Sequence, residues 1–369
     1  VESFKIKLKM LVLAIENMKR FFKIGFYITC LFALVSCHTV FSQVKEASTK
    51  TDPVAENMLL YQRKIGGWPK AVGEVKVDYN KVLSPAEKAS TEEDDSSKND
   101  ATIDNNATSK EILYLLKAYK QTQNKAYLQS AQKGIDYILM AQNAKGGWPQ
   151  YYPDSSLYRA AITYNDNAMI NVMEVLQDVV TGAKDFDVVD PSYKTKAQNA
   201  INKGIDCILK TQLVVDGKLT AWAQQYDKNT LKPVMARKFE LVGLASSESA
   251  AITEFLIHQK NPSPEIKKAI ESAVIWFDQV KIKGYNFVHI DDPKQPKGKD
   301  AVLRADPNST IWARYYEIGT NKPFFAGRNS VKVYSVAEIE NERRAGYAWY
   351  GTWPQKVLDQ AYPKWKKQN

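Results

Sequence analysis

The chain has 369 residues, 44% hydrophobic and 25% charged, which suits one large domain or two smaller ones and is unlike a disordered or fibrous chain. Its formal charge of +10 favours anionic partners through long-range attraction, yet zinc-finger spacing and Arg/Lys tracts interleaved with aromatics are missing, which argues against nucleic acid. With His38, His258 and His289 as its only histidines, and no glycine-rich phosphate loop, a zinc site, a His-based triad and nucleotide binding all lack support.

Met18 opens a second start. Lys19, Arg20 and Lys23 form a basic region, and Ile24 to Val35 is an apolar stretch too short for an ordinary helical span. A secretory signal is expected over residues 1–42, with 1–17 as an upstream extension. Two cleavage sites compete: Val40-Phe41-Ser42 before Gln43, and the lipobox-like Leu34-Val35-Ser36-Cys37, which would leave a lipid anchor on Cys37. Either way the chain is expected to leave a bacterial cytoplasm, to be secreted, periplasmic or anchored to the envelope, and to have no transmembrane span once mature. Six Lys or Arg and two Glu lie in 1–42, so their removal lowers the charge to +6. Cys207 is then the one cysteine securely in the mature chain, which rules out an intrachain disulfide framework there.

Residues 43–52 form a polar leader, and 53–369 is expected to be a single domain. A short helix over 53–64 ends at Gly66-Gly67-Trp68-Pro69. Ser84 to Asp104 is rich in Asp, Glu, Ser and Asn and predicts a long surface loop at the rim of a cleft. Thr108 and Glu111 suggest a capping box, followed at helical spacing by Ile112, Leu115, Leu116 and Tyr119. Further apolar stripes run through Leu128, Ala131, Ile135, Ile138 and Leu139, and through Met169, Val172, Leu176 and Val179. More helices are predicted over 196–211, 247–259, 263–280 and 335–343. Alternating β-branched runs are scarce, so little sheet is expected.

The chain also repeats itself. Lys133-Gly134-Ile135-Asp136 recurs as Lys203-Gly204-Ile205-Asp206, and Gln142 as Gln212, at an offset of 70 residues. The first copy runs into Gly146-Gly147-Trp148-Pro149-Gln150, the second into Ala221-Trp222, and Gly66-Gly67-Trp68-Pro69 and Gly351-Thr352-Trp353-Pro354 echo the same turn. Such units pack on one another, as an open solenoid or a closed ring. The tryptophans either line a common cleft or clamp successive helix ends.

Carboxylates and arginines are left to carry the chemistry. Asp104, in Thr102-Ile103-Asp104-Asn105, and Asp166, in Tyr164-Asn165-Asp166-Asn167, both stand just before helical text, as caps or as ligands of a hard cation such as calcium. Arg237, Arg314 and Arg328 have aromatic or apolar neighbours, unlike the Lys-rich surface text. Their rigid forks suit the carboxylates of a polyuronate, and internal salt bridges with Glu240 or Glu317 are the competing reading.

Several blocks in one order carry a resemblance: Thr102-Ile103-Asp104-Asn105, Gly147-Trp148-Pro149-Gln150, Asn165-Asp166, Lys210-Thr211-Gln212, Ser247-Glu248-Ser249-Ala250, Asn261-Pro262-Ser263-Pro264 and Tyr347-Ala348-Trp349-Tyr350-Gly351-Thr352-Trp353-Pro354. The chain resembles the bacterial pectate lyases of polysaccharide lyase family 10 from about Gly66 to Lys356. That resemblance implies an all-α, (α/α) toroid, calcium as cofactor, and polygalacturonate as substrate, cleaved by β-elimination to 4,5-unsaturated ends, with the protein acting as a monomer. It further implies Asp104 and Asp166 as metal ligands, Arg237 as the proton-abstracting residue, and Arg314 and Arg328 as holders of substrate carboxylates. Two other classes compete: a glycoside hydrolase using Asp166 and Asp227, and a non-catalytic polyuronate binder using the Trp loops.

Overall fold

The computed structural model describes residues 10, 50–92, 99–154 and 156–369. The expected signal, the lipobox and its Cys37 lie outside them. Residues 1–50 separate from 51–369 as a unit of their own, and the elements below all belong to the second unit.

Helical hairpins dominate that unit. Helix α1 (Pro53–Tyr61) is capped by Asp52, whose carboxylate accepts from the N–H groups of Val54 and Ala55. Helix α2 (Pro85–Glu92) lies where the sequence suggested an uninterrupted loop. The hairpins are α3 (Ser109–Thr122) with α4 (Lys125–Ala141), α5 (Ala168–Thr181) with α6 (Tyr193–Thr211), and α7 (Ser246–Ile257) with α8 (Pro264–Val280). Each buries an apolar stripe, such as Ile112, Leu115 and Leu116 on α3 and Val172, Leu176 and Val179 on α5. First helices touch first helices and second touch second, giving two layers: α3, α5 and α7 in one, α4, α6 and α8 in the other.

The 70-residue repeat has a physical cause. The Trp68 indole lies over Gly134 of α4, where an added Cβ would come within 2.8 Å of the ring. Trp148 meets Gly204 of α6 in the same way, at 3.1 Å. The indole N–H groups donate back to main-chain carbonyls, Trp68 to Met58, Trp148 to Ile138, Trp222 to Ile208 and Trp312 to Phe277, at 2.7–2.8 Å. The repeated glutamines act in parallel, because the side-chain amides of Gln62, Gln142 and Gln212 donate to Ser130, Ala200 and Ala269 of the following unit. These four tryptophans are buried clamps, whereas Trp353, whose loop echoes theirs in sequence, is only partly buried.

The all-α toroid is not what the chain forms. Of the described residues 46% are helical and 18% lie in strands, gathered into several small antiparallel sheets. The largest joins Ile282–Asp291 to Lys299–Ala313, with a register shift between Lys283 and Tyr285, and Tyr350–Gly351 adds a third strand. The ribbon's text was legible in part: Asp292-Pro293-Lys294-Gln295-Pro296-Lys297-Gly298 is turn chemistry between two extended runs. It was missed because its faces are only half-buried, so no clean apolar alternation marks it. The capping box at Thr108 is also absent. Thr108 has φ +68°, and its hydroxyl accepts from Trp68 N–H and donates to the Thr102 carbonyl.

Placing alanine at Gly134 tests the clamp. Alanine normally stabilises a helix interior over glycine, but here the new Cβ would sit 2.7 Å from an Ile112 carbon as well as against Trp68. Overpacking of that kind costs about 1–3 kcal/mol. Gly134→Ala should therefore lower the urea midpoint, whereas a helix limited by propensity alone would gain.

Candidate active site

Each clamped loop carries one polar side chain at the same position. Two residues after each clamp tryptophan stand Lys70, Gln150, Gln224 and Arg314. The backbone repeats as well: the N–H groups of Ile103, Tyr164 and Ser246 donate to the carbonyls of Gln150, Gln224 and Arg314 at 2.9–3.1 Å. Two short 3-10 turns follow these pairings, Asp104–Asn106 before α3 and Asn165–Asn167 before α5, and they pack on each other. Both contain left-handed residues, with φ +51° at Asn105 and +50° at Asp166, a region that Asn and Asp tolerate better than most. Asp166 is thus the conformational counterpart of Asn105, and Asp104 that of Asn165.

Asp104 is 2% exposed. One of its oxygens takes an ion pair from Lys70, while Oδ1 is buried with no hydrogen-bond partner. Asp166 is about one-third exposed and lies 3.5 Å from Arg314 Nη2. Arg314 is buried at 6% exposure and its Nη2 donates to Glu248, in the first turn of α7. The Arg314 guanidinium also stands 5.0 Å from the centre of the Tyr347 ring and 5.9 Å from that of Trp353. Burial pulls the Arg314 pKa down, but Glu248, Tyr315, Tyr347 and Asp166 together outweigh it and hold the guanidinium protonated. Glu248 Oε2 and Arg314 Nε are buried without hydrogen-bond partners.

Arg237 comes from the loop before α7. Its Nε donates to Glu240 at 2.7 Å, its Nη2 pairs with the other oxygen of the same carboxylate, and its backbone N–H donates to it too. Tyr347 hydroxyl donates to Glu240 at 2.9 Å and lies 2.8 Å from Tyr315 hydroxyl, which donates to Gln224. Burial lowers the Arg237 pKa, yet Glu240 overrides it and leaves it above the ordinary range. Arg328 is exposed and paired bidentately with Glu342, which Arg343 shares; Arg343 in turn lies 4.7 Å from the Phe239 ring centre, beside Arg237.

Asp166, Arg314 and Arg237 therefore stand in one chain of contacts through Tyr347 and Glu240, Asp104 lies in the adjoining turn, and Arg328 is linked through Glu342 and Arg343 to the Phe239 ring that Arg237 also faces. The competing salt-bridge reading holds for Arg237 with Glu240. Glu317 instead pairs with Lys332. Sequence reasoning missed Lys70, Gln150 and Gln224 as a set, and Glu248 and Tyr347 as partners of Arg314. The shared spacing Trp-x-polar was the available signal.

The alternative carboxylate pair is not assembled for acid catalysis. Asp227 Oδ1 accepts from Asn229 N–H, Thr230 N–H and Thr230 hydroxyl, and these bonds hold its pKa below the ordinary value, the wrong direction for a proton donor. It lines a 260 Å³ hollow with Leu157, Val234 and Met235 that contains none of the expected site residues. The buried clamp tryptophans offer no ring face to sugar.

Arginines and carboxylates gathered beside stacked helical hairpins offer forked donors suited to an anionic ligand. The model of the pectic acid lyase family matches residues 62–358. The family 10 polysaccharide lyase from Cellvibrio cellulosa is 30% identical, with a TM-score of 0.73, covering 86% of this chain and 93% of its own. A mutant of that lyase in complex with trigalacturonic acid gives the same values. No curated protein sequence matches the chain. The chain belongs to the pectic acid lyase family and is a pectate lyase.

Glu240 provides a test of the electrostatics. Burial raises its pKa but Arg237 more than offsets this, so the folded value lies below the ordinary 4.5. A depressed carboxylate contributes stability that is present above the unfolded pKa and lost as pH falls through the folded one. Glu240→Gln should flatten the loss of stability below about pH 4.5, measured by urea unfolding across pH. An unchanged acid limb would mean that the pair contributes nothing.

Proposed function

We propose that the chain cleaves polygalacturonate by β-elimination at the row of charges from Asp104 to Arg328, with calcium as cofactor. The observation that carries this is the buried, unpartnered Asp104 Oδ1 in the turn adjoining that of Asp166, which is about one-third exposed, with the side-chain amides of Asn105 and Asn165 in the same two turns. Oxygen atoms of this kind fit a hard cation. Among the described residues no three His, Cys, Asp or Glu side chains gather as a metal site, so Asp104 and Asp166 would hold the ion with help from amide oxygens, water and substrate. Bound there, calcium would supply positive charge next to a uronate carboxylate and so acidify the neighbouring C5–H.

The protein's own groups do the rest. Arg314, fixed by Glu248 and stacked on Tyr347, presents positive charge to the same carboxylate without reorganising. Arg328, exposed and held by Glu342, receives the carboxylate of a more distant unit. Arg237 is proposed to take the C5 proton. The C5–H electrons then form the C4=C5 double bond, the C4–O4 bond breaks, and O4 leaves with its electron pair and is protonated from water. Arg237 starts protonated because of Glu240, so its role as base requires the surrounding cations to release a proton from it first. The same reading includes export of the chain and action as a monomer.

Incubation of the purified protein with polygalacturonate should give ultraviolet-absorbing unsaturated ends with calcium and none with a chelator. Reducing ends without absorbance would instead indicate hydrolysis. Arg237→Lys should lower kcat by about 10²–10⁴-fold, the usual span for a general base. Near-normal turnover over a broad pH range would show that Arg237 only positions substrate.

A further inference from the structure

One turn occurs twice in the chain. Tyr226-Asp227 to Lys232-Pro233 runs into Val234-Met235-Ala236-Arg237, and Tyr316-Glu317 to Lys322-Pro323 runs into Phe324-Phe325-Ala326-Gly327-Arg328. In both copies the arginine N–H donates to a glutamate, Arg237 to Glu240 at 3.1 Å and Arg328 to Glu340 at 2.6 Å. The side chains then part. Arg328 pairs with a second carboxylate, that of Glu342. Arg237 stays on the first: its Nε and Nη2 both bind Glu240, whose side chain is sealed from water. Three contacts on one buried carboxylate fix the plane of the guanidinium. Its Nη1 makes no hydrogen bond to any described residue, and the Arg237 side chain is 39% exposed.

The other neighbours are neutral or already matched. Glu240 also accepts from Tyr347 hydroxyl at 2.9 Å and from the Gln224 side-chain amide at 3.2 Å, and burial keeps the Tyr347 and Tyr315 phenols protonated. Arg314, 5.0 Å from the Tyr347 ring centre, is paired with Glu248, and Arg343, 4.7 Å from the Phe239 ring centre, is paired with Glu342.

We propose that Glu240 is a positioning residue for the elimination: it commits Nε and Nη2 of Arg237, leaves Nη1 to meet the C5–H, and sets the pH range over which the site turns over. The proposal rests on the polygalacturonate reading above. A guanidinium must lose a proton before it can take one, and the carboxylate that aims Arg237 also holds that proton on it. With Arg237 as base, turnover rises with pH as the proton leaves, and Glu240 places that acid limb higher than the remaining neighbours would.

Profiles of kcat and KM against pH, on polygalacturonate with calcium, test this. Glu240→Gln keeps an oxygen for Arg237 but no charge, so its acid limb should move down by about one pH unit or more. Its plateau kcat should fall by up to about 10²-fold, the cost of a misplaced group, at an unchanged KM. Glu240→Asp restores the charge and should return the limb to its native place with part of the rate. Tyr347→Phe keeps the ring and removes a neutral donor from Glu240, leaving more of its charge on Arg237, so the limb should move up. That variant carries the test if Glu240→Gln does not fold, as thermal midpoints will show. A limb that stays fixed in the folded variants, or a KM that rises while kcat holds, would overturn the proposal. A native chain that releases no unsaturated ends at any pH would instead sink the polygalacturonate reading, which is a separate result.

Discussion

The first two of the clamped loops are positioned by an indole lying on a glycine. A tryptophan can cross a helix at close range only where no Cβ intervenes, and Gly134 and Gly204 provide those gaps for Trp68 and Trp148. Once the ring is seated and its N–H donated to a main-chain carbonyl, the residue two positions on has little choice of direction. Repetition of one packing event thus creates a row of polar side chains from separate parts of the chain. The hairpins supply rigidity, and the loop after each clamp supplies the chemistry.

The row is electrically balanced at rest. Lys70 is matched by Asp104, Arg314 by Glu248, Arg237 by Glu240 and Arg328 by Glu342. Bare cations would attract a polyanion more strongly, but leaving a buried one unpaired costs about 3–5 kcal/mol. The pairs also differ in burial, which separates their tasks. Arg314 and Glu248 are sealed in and serve as fixed charge. Arg328 and Glu342 are in water, where exchange of one carboxylate for another is cheap. A polymer with many carboxylates is suited to such exchange along its length.

Much of this was legible in the sequence, for reasons that differ by residue. The hairpins follow from apolar stripes at helical spacing; Asp104 and Asp166 stood out just before helical text, and the three arginines stood out by their aromatic or apolar neighbours. The long ribbon was not legible as sheet because water touches both of its faces, and helix α2 was not because it carries no large apolar side chain. Glu248 was hidden by its ordinary place in the first turn of a helix, where an acidic residue needs no functional reason. Lys70 was hidden because Trp-Pro-Lys, Trp-Pro-Gln, Trp-Ala-Gln and Trp-Ala-Arg share no identity beyond the tryptophan. What they share is a polar residue two positions after the tryptophan, a pattern too common to stand out.

The hardest physical demand falls on Arg237. As the site stands, Glu240 stabilises its charged form, and a guanidinium with all its protons cannot accept another. Yet Glu240 is itself tied into a network of neutral donors, Tyr347 and Gln224, that can share its negative charge. Positive charge arriving at Asp104 and Asp166 acts on Arg237 from the other side, with Arg314 and Tyr347 between them. For the proposed role of Arg237 as base, electrostatic crowding, rather than any change of fold, is therefore the means by which its proton would be loosened.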